Sequence, residues 1–240
     1  MTRPLAIDLF CGLGGWTEGL LAEGYHVVGF DIERHEYGEH RYPAQLVVQD
    51  VCTLHGSQFK DAALIVASPP CQAYSYRAMP WTRARALPPP DNELFETCFR
   101  IQREACEAAG KHIPLIVENV RGAQKWVGRA RWNFGSFYLW GDVPALMPPI
   151  IANRLKGGQT NWRDHDKPGY KGQQLQDHFA RKLPGEHGEG VKHHGSGAVW
   201  FDTGPASLPS SSPRRKMASA MIAKIPLPLA RHIGAVYRTG

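Results

Sequence analysis

No apolar run in this 240-residue chain approaches the roughly 18 residues of a membrane helix, so no membrane partner is expected. Cysteine is sparse and unpaired in pattern. There are five, an odd number, with no C-x-x-C, which argues against a disulfide scaffold or zinc ribbon. No signal-peptide core precedes the strand-like Leu5-Ala6-Ile7, so the expected location is the cytoplasm, a host's cytoplasm if the chain is phage-encoded. Acidic residues are missing from positions 217–240, which hold three Lys/Arg. Positions 1–140 carry 14 Lys/Arg against 15 Asp/Glu, and 141–216 carry 11 against 7, so the net +6 comes from the C-terminal part. A neutral body with a basic end suits a catalytic domain whose attachment grips a polyanion, or simply a solvated basic face. With 42% hydrophobic and 21% charged residues, wholesale disorder is excluded.

What is present is an alternation of buried strands and helices. Leu5–Phe10, His26–Asp31, Leu46–Asp50, Ala63–Ala67, Ile113–Glu118 and Phe137–Trp140 read as strands, without the in-out alternation of a half-exposed sheet. Helices are predicted over 15–24 and 92–109, the second with Leu94, Cys98, Ile101 and Ala105 at helical spacing. This predicts an α/β fold with a doubly wound, mostly parallel sheet over 1–140. Residues 141–205 hold 11 of the 25 glycines and few aliphatics, and read as a loop-rich insert. Structure returns over 206–240, with a helix start at Ser212-Pro213 and a last helix whose first turn holds Pro228.

Three motifs fall at predicted strand ends, the edge where such sheets bind ligands. Asp8-Leu9-Phe10-Cys11-Gly12-Leu13-Gly14-Gly15 offers a glycine turn and the free N–H groups of a helix start. Asp31, where a ribose diol would sit, and Asp50 end the next two strands. The G-x-G-x-x-G spacing of a dinucleotide site is absent, which favours a smaller adenosine-containing cofactor. In Ser68-Pro69-Pro70-Cys71-Gln72 two prolines aim a thiol outward, either as a nucleophile or as a small buried hydrophobe. Glu118-Asn119-Val120 places a carboxylate beside it, as an acid or as a cap.

These motifs, in this order, resemble the cytosine-C5 DNA methyltransferases, in a short, phage-like form with a reduced target-recognition region. Arg129-Ala130-Arg131 looks like that family's R-x-R element, with Val127 where a glutamine is usual. Arg214–Ala218 and Lys224–Ala230 resemble its last two motifs. The resemblance implies a Rossmann-like methyltransferase fold and S-adenosyl-L-methionine as cofactor, with 141–205 as target-recognition insert. It implies Phe10, Gly12, Gly14 and Gly15 around the methionine portion, Asp31 on the ribose, and Ile32 and Asp50 on the adenine. Asp8, Cys11, Val51, Pro69 and Lys224 complete that set. Cys71 would attack C6 of a flipped cytosine, Glu118 would engage N3 and the amine, and Arg131, supported by Arg129, would hold O2. Double-stranded DNA is the implied partner of a monomeric enzyme, met by Gln72, Ser75, Arg77, Arg83, Arg85, Arg163, Lys171 and Arg181. His187, His193 and His194 lack ligand spacing with cysteine, so no metal is expected.

Three alternatives stay open. Lys224 stands near an expected asparagine and would suit the extra carboxylate of carboxy-S-adenosyl-L-methionine, giving 5-carboxymethylcytosine, unless it snorkels to water. A tRNA cytosine-C5 methyltransferase shares the nucleophile and acid, but the insert lacks a Cys-Phe-Thr element. An inactive DNA-binding partner would have no need of Cys71, Glu118 and Arg131 together. The short, glycine-rich insert predicts a short or degenerate target.

Overall fold

A computed structural model describes residues 2–74, 88–147, 209 and 211–238. The chain divides into two compact units, Met1–Pro148 with Ile225–Gly240, and Pro149–Lys224.

The first unit is built on a seven-stranded sheet. Its strands are β1 (Leu5–Leu9), β2 (His26–Asp31), β5 (Gln45–Val48), β6 (Ala62–Ala67), β7 (Leu115–Asn119), β8 (Trp132–Phe134) and β9 (Phe137–Gly141), in the order β5-β2-β1-β6-β7-β9-β8. The first five in that order run parallel, whereas β9 is antiparallel to β7 and β8 to β9. The expected fold class therefore holds, with a reversed hairpin at one end. Two short strands, β3 (Glu36–Tyr37) and β4 (His40–Arg41), form a separate antiparallel hairpin in the connection from β2 to β5. That connection carries no helix.

Side-chain alternation divides the core between the two sheet faces. Ile7, Leu9, Ile65, Ala67, Leu115 and Val117 point to one face, packed by α2 (Glu93–Ala109) through Phe95, Cys98, Ile101 and Ala105. The helical stripe thus starts at Phe95 rather than Leu94, which is exposed. Glu93 and Glu96 suit the positive first turn of α2, and Gly110 at φ 64 ends it in the left-handed conformation. Ala6, Leu64, Val66, Ile116 and Leu139 point to the other face, covered by α1 (Gly15–Ala22) and the C-terminal helix. In chain order the remaining helices are α3 (Gln124–Val127), α4 (Pro213–Ala223) and α5 (Leu227–Arg238). Helix α5 meets α1 at a glycine: a Cβ on Gly19 would lie 2.4 Å from the Ala230 Cβ. Leu20, Leu229 and Ile233 are fully buried there, each worth about 1.5–3 kcal/mol. Tyr25 donates to the Gly234 carbonyl at 2.9 Å and ties the β2 start to α5.

In the second unit α4 starts as expected, with Ser212 at the N-cap and Pro213 in the first turn.

Candidate active site

Strand order reverses direction between β1 and β6, since the chain runs outward from β1 to β2 on one side and returns to β6 on the other. Helices must leave such a sheet on opposite faces at that point, which opens a crevice at the carboxyl ends of the two strands. The turn after β1 and the Ser68–Cys71 loop after β6 both lie there.

The first turn is strained. Phe10 adopts φ 55 and is the one non-glycine residue with positive φ among the described residues. For a bulky side chain this costs about 1–3 kcal/mol and persists only where surroundings impose it. Here Cys11 donates its N–H to the Phe30 carbonyl and Gly14 donates to the Cys11 carbonyl. Gly14 cannot be replaced without a shift, because a Cβ would stand 2.5 Å from the Pro43 ring. Gly12 faces open space: a Cβ there would meet nothing within 4 Å.

Asp31 supports this turn from the tip of β2. Its Oδ2 accepts the Gly12 N–H at 2.9 Å, and its Oδ1 accepts the Glu33 N–H at 3.3 Å and faces His35 Nε2 at 3.5 Å. Burial raises the carboxyl, yet the bonds from His35, Gly12 and Glu33 outweigh it and hold Asp31 below its ordinary range. The charge is therefore kept. Ile32 beside it is 68% exposed, an apolar surface without a cover. Asp50 is exposed beyond the end of β5 and caps the turn Val51–Thr53, its Oδ1 accepting from Cys52 N–H at 2.9 Å. Val51 is buried behind it.

Two residues of the same motif face inward. Asp8 is fully buried, and its Oδ2 accepts the Thr17 hydroxyl, which also meets the Tyr42 hydroxyl. Its Oδ1 has no hydrogen-bond partner among the described residues. Desolvation, with a smaller push from Asp31, raises the Asp8 carboxyl to about 8. Cys11 is buried and its thiol is likewise pushed far up, chiefly by desolvation, so it is no nucleophile. Thr17 and Tyr42 carry no sequence signature that would have singled them out.

The Ser68–Cys71 loop is tied on three sides. Ser68 donates its N–H to the Leu9 carbonyl at 3.1 Å and accepts the Trp16 indole N–H on Oγ at 3.0 Å. The Asn119 side chain, buried at the tip of β7, donates to the Pro69 carbonyl at 3.0 Å. This brings Cys71, in the loop after β6, and Glu118, on the neighbouring strand β7, to one edge. Cys71 is half-buried and outside any disulfide, and Glu118 is buried. Exposed Gln72 opens a short turn, Gln72–Tyr74, in which Tyr74 donates N–H to the Cys71 carbonyl.

Arg129 and Arg131 are exposed and precede β8. Trp132 pairs with Leu139 and Leu139 with Glu118, so Arg131 starts one residue before the Glu118 row and two strands over, roughly 10 Å away. Where the resemblance led us to expect a glutamine at Val127, the bond to this segment comes from Gln124. Its Oε1 accepts the Ala130 N–H at 3.1 Å, while Trp140 Nε1 donates to the Gly128 carbonyl at 2.9 Å. No local pattern marks either clamp. Lys224, half-buried at the end of α4, belongs to the second unit. Ser75, Arg77, Arg83, Arg85, Arg163, Lys171 and Arg181 lie outside the described residues, as does nearly all of the insert. No group of three or more His, Cys, Asp or Glu suited to a metal occurs among the described residues. None of their helices is long and apolar enough to cross a membrane.

The model of one family, described as C-5 cytosine-specific DNA methylase, matches residues 5–127. The type II methyltransferase M.XorII of Xanthomonas oryzae pv. oryzae is 28% identical over 134 residues, which cover 51% of this chain and 29% of that protein. The chain thus spans less than a third of this curated relative. Among solved structures, a prophage-encoded E. coli protein assigned as a DNA modification methyltransferase shares 25% identity at a TM-score of 0.37, covering 52% of this chain and 34% of the other. The Dnmt2 methyltransferase of S. pombe shares 17% at 0.35, covering 52% and 36%.

Proposed function

Because this chain belongs to the C-5 cytosine-specific DNA methylase family, we propose that it methylates C5 of a cytosine swung out of duplex DNA. The observation that carries the reading is the shared edge, where Asn119 binds the Pro69 carbonyl and so sets the Cys71 loop against the Glu118 strand.

The residues at this edge fit S-adenosylmethionine. Open space over Gly12 admits the methionine end, the ionised Asp31 is ready to accept from the ribose diol, and exposed Ile32 offers the adenine an apolar face. When bound, this cofactor supplies an electrophilic sulfonium methyl.

The chain's own task is to make C5 nucleophilic. Cytosine C5 attacks poorly while the ring is aromatic, and addition of the Cys71 thiolate to C6 removes that aromaticity. The new S–C6 bond pushes electron density toward N3 and O2, where Glu118 shares a proton with N3 and accepts from the amine. Arg131, with its backbone held through Gln124 and Trp140, reaches for O2. After C5 has taken the methyl, its proton leaves to water, the C5–C6 double bond re-forms and Cys71 departs. A stacked base cannot offer C6 to a thiol, so the cytosine must leave the duplex first.

Duplex DNA carrying 5-fluorocytosine tests this, since fluorine at C5 cannot leave as a proton does and the Cys71 adduct persists through denaturing electrophoresis. A covalent complex with the native chain and none with Cys71→Ala is expected. No adduct and no methyl incorporation by the native chain would overturn the proposal, as would undiminished turnover by Cys71→Ala or preferred transfer to tRNA.

A further inference from the structure

Trp16 sits at the second position of α1, directly after the Phe10–Gly14 turn, and its indole is 1% exposed. Apolar packing accounts for the ring. It does not account for the N–H, which at this burial needs an acceptor. The acceptor is Ser68 Oγ at 3.0 Å, on the residue that begins the nucleophile loop. Ser68 is itself fixed to β1 through its N–H on the Leu9 carbonyl, so its backbone has a set position. The neighbouring Thr17 is bonded to Asp8 at the end of β1 and to Tyr42 beyond β4. The first turn of α1 therefore touches both halves of the crevice: the glycine turn through the chain, and the Cys71 loop through one hydrogen bond.

We propose that Trp16 is a positioning residue that couples occupancy of the Phe10–Gly14 turn to the orientation of the Cys71 loop. The inference rests on the reading above, in which that turn seats the cofactor and Cys71 is the nucleophile. A ligand that orders the turn orders the start of α1. The Trp16–Ser68 bond passes that order to a loop whose thiol lies three residues further on. Proline at 69 and 70 leaves the intervening backbone little freedom to absorb a change at Ser68.

The test measures iodoacetamide alkylation of Cys71, read from its peptide by mass spectrometry, with and without S-adenosylhomocysteine, which binds without transferring a group. In the native chain S-adenosylhomocysteine should change the Cys71 rate by about two- to tenfold, the range one neutral hydrogen bond spans. Trp16→Phe keeps an aromatic ring, smaller than the indole, and loses the N–H, and Ser68→Ala loses the acceptor without changing the packing of Trp16. Each should abolish most of the cofactor effect. The double variant should do no more than either single one, and Ser68→Thr, which keeps a hydroxyl, should restore it. With DNA as substrate, the two deletions should lower kcat while leaving KM for DNA near its native value. An undiminished cofactor effect in both Trp16→Phe and Ser68→Ala overturns the inference, since direct shielding of Cys71 by the ligand would then explain it. A native chain that binds S-adenosylhomocysteine and methylates DNA, yet shows no cofactor effect on Cys71, also overturns it. A native chain that neither binds S-adenosylhomocysteine nor methylates DNA overturns the underlying reading instead.

Discussion

Replacing Asp8 by asparagine should make the protein more stable at alkaline pH and little different in acid. The carboxyl is fully buried, with one oxygen on Thr17 and the other without a partner among the described residues. Its proton is held up to about 8, against an ordinary aspartate value of about 4. The sign follows from linkage. The native state binds this proton more tightly than the unfolded chain does, so its contribution is greatest below about pH 4 and is lost as pH rises toward 8. Four pH units at about 1.4 kcal/mol each set a ceiling on the order of 5 kcal/mol, reduced by any relaxation around the ion. Asparagine keeps the size and an acceptor for the Thr17 hydroxyl, and it cannot ionise. Urea unfolding of both proteins at pH 5, 7 and 9, without cofactor, isolates the effect, because titrating groups that do not interact with Asp8 cancel in the difference. The advantage of Asp8→Asn should grow with pH and exceed about 2 kcal/mol at pH 9, a conservative fraction of that ceiling. A difference that stays flat across this range, or favours the native chain at pH 9, would show that Asp8 ionises at an ordinary pH and refute the argument.

Other outcomes follow from the same geometry. Glu118→Gln should slow methyl transfer by about two to four orders of magnitude, as loss of acid–base assistance does, and near-native turnover would remove Glu118 from the reaction. Gly19→Ala should destabilise the fold by about 1–3 kcal/mol, because its Cβ would stand 2.6 Å from the Ala230 and Arg231 backbone; an unchanged melting temperature would contradict that contact. His35 is held above its ordinary range by its bond to Asp31, so its contribution is full below about pH 6.5 and lost as pH rises through its native value. His35→Gln should flatten stability across that interval, and an unaltered pH profile would count against the pair. Bisulfite sequencing of methylated DNA should show a short or degenerate target, and a strict site of six bases would refute the reading of the insert as too small for a rigid reader.

The parallel strands were legible because burial on both faces writes them as unbroken apolar runs, as in Leu5–Leu9 and Ala62–Ala67. The polarity of β9 was not, since Phe137–Gly141 reads the same whether it runs with or against β7. Strands β3, β4 and β8 have two or three residues each, too few for any period to show. Asp50 reads as a strand tip but caps a turn, a difference of two residues at a boundary that local pattern defines poorly. At the site, Cys71, Glu118 and Asp31 stood out because chemistry at strand ends has a sequence form. Trp16, Thr17, Tyr42 and Gln124 did not, because each acts on a partner that only folding brings near: Trp16 and Ser68 are 52 positions apart.

The reversed hairpin at the end of the sheet has a consequence for where length can be added. A strand running with the others delivers to the crevice whatever follows it, as β6 delivers Cys71. Strand β9 runs the other way, so Tyr138 stands beside Asn119 and the two-residue connection Gly135-Ser136 looks out over the crevice edge. Residues inserted there would extend the sheet edge beside the end of β7, whereas residues inserted after Gly141 would emerge at the opposite rim, where Asp142 binds the Leu115 amide. One connection is therefore a dial for the shape of the edge where the proposed reaction would seat its base and the other is not, although the two lie five residues apart in the chain.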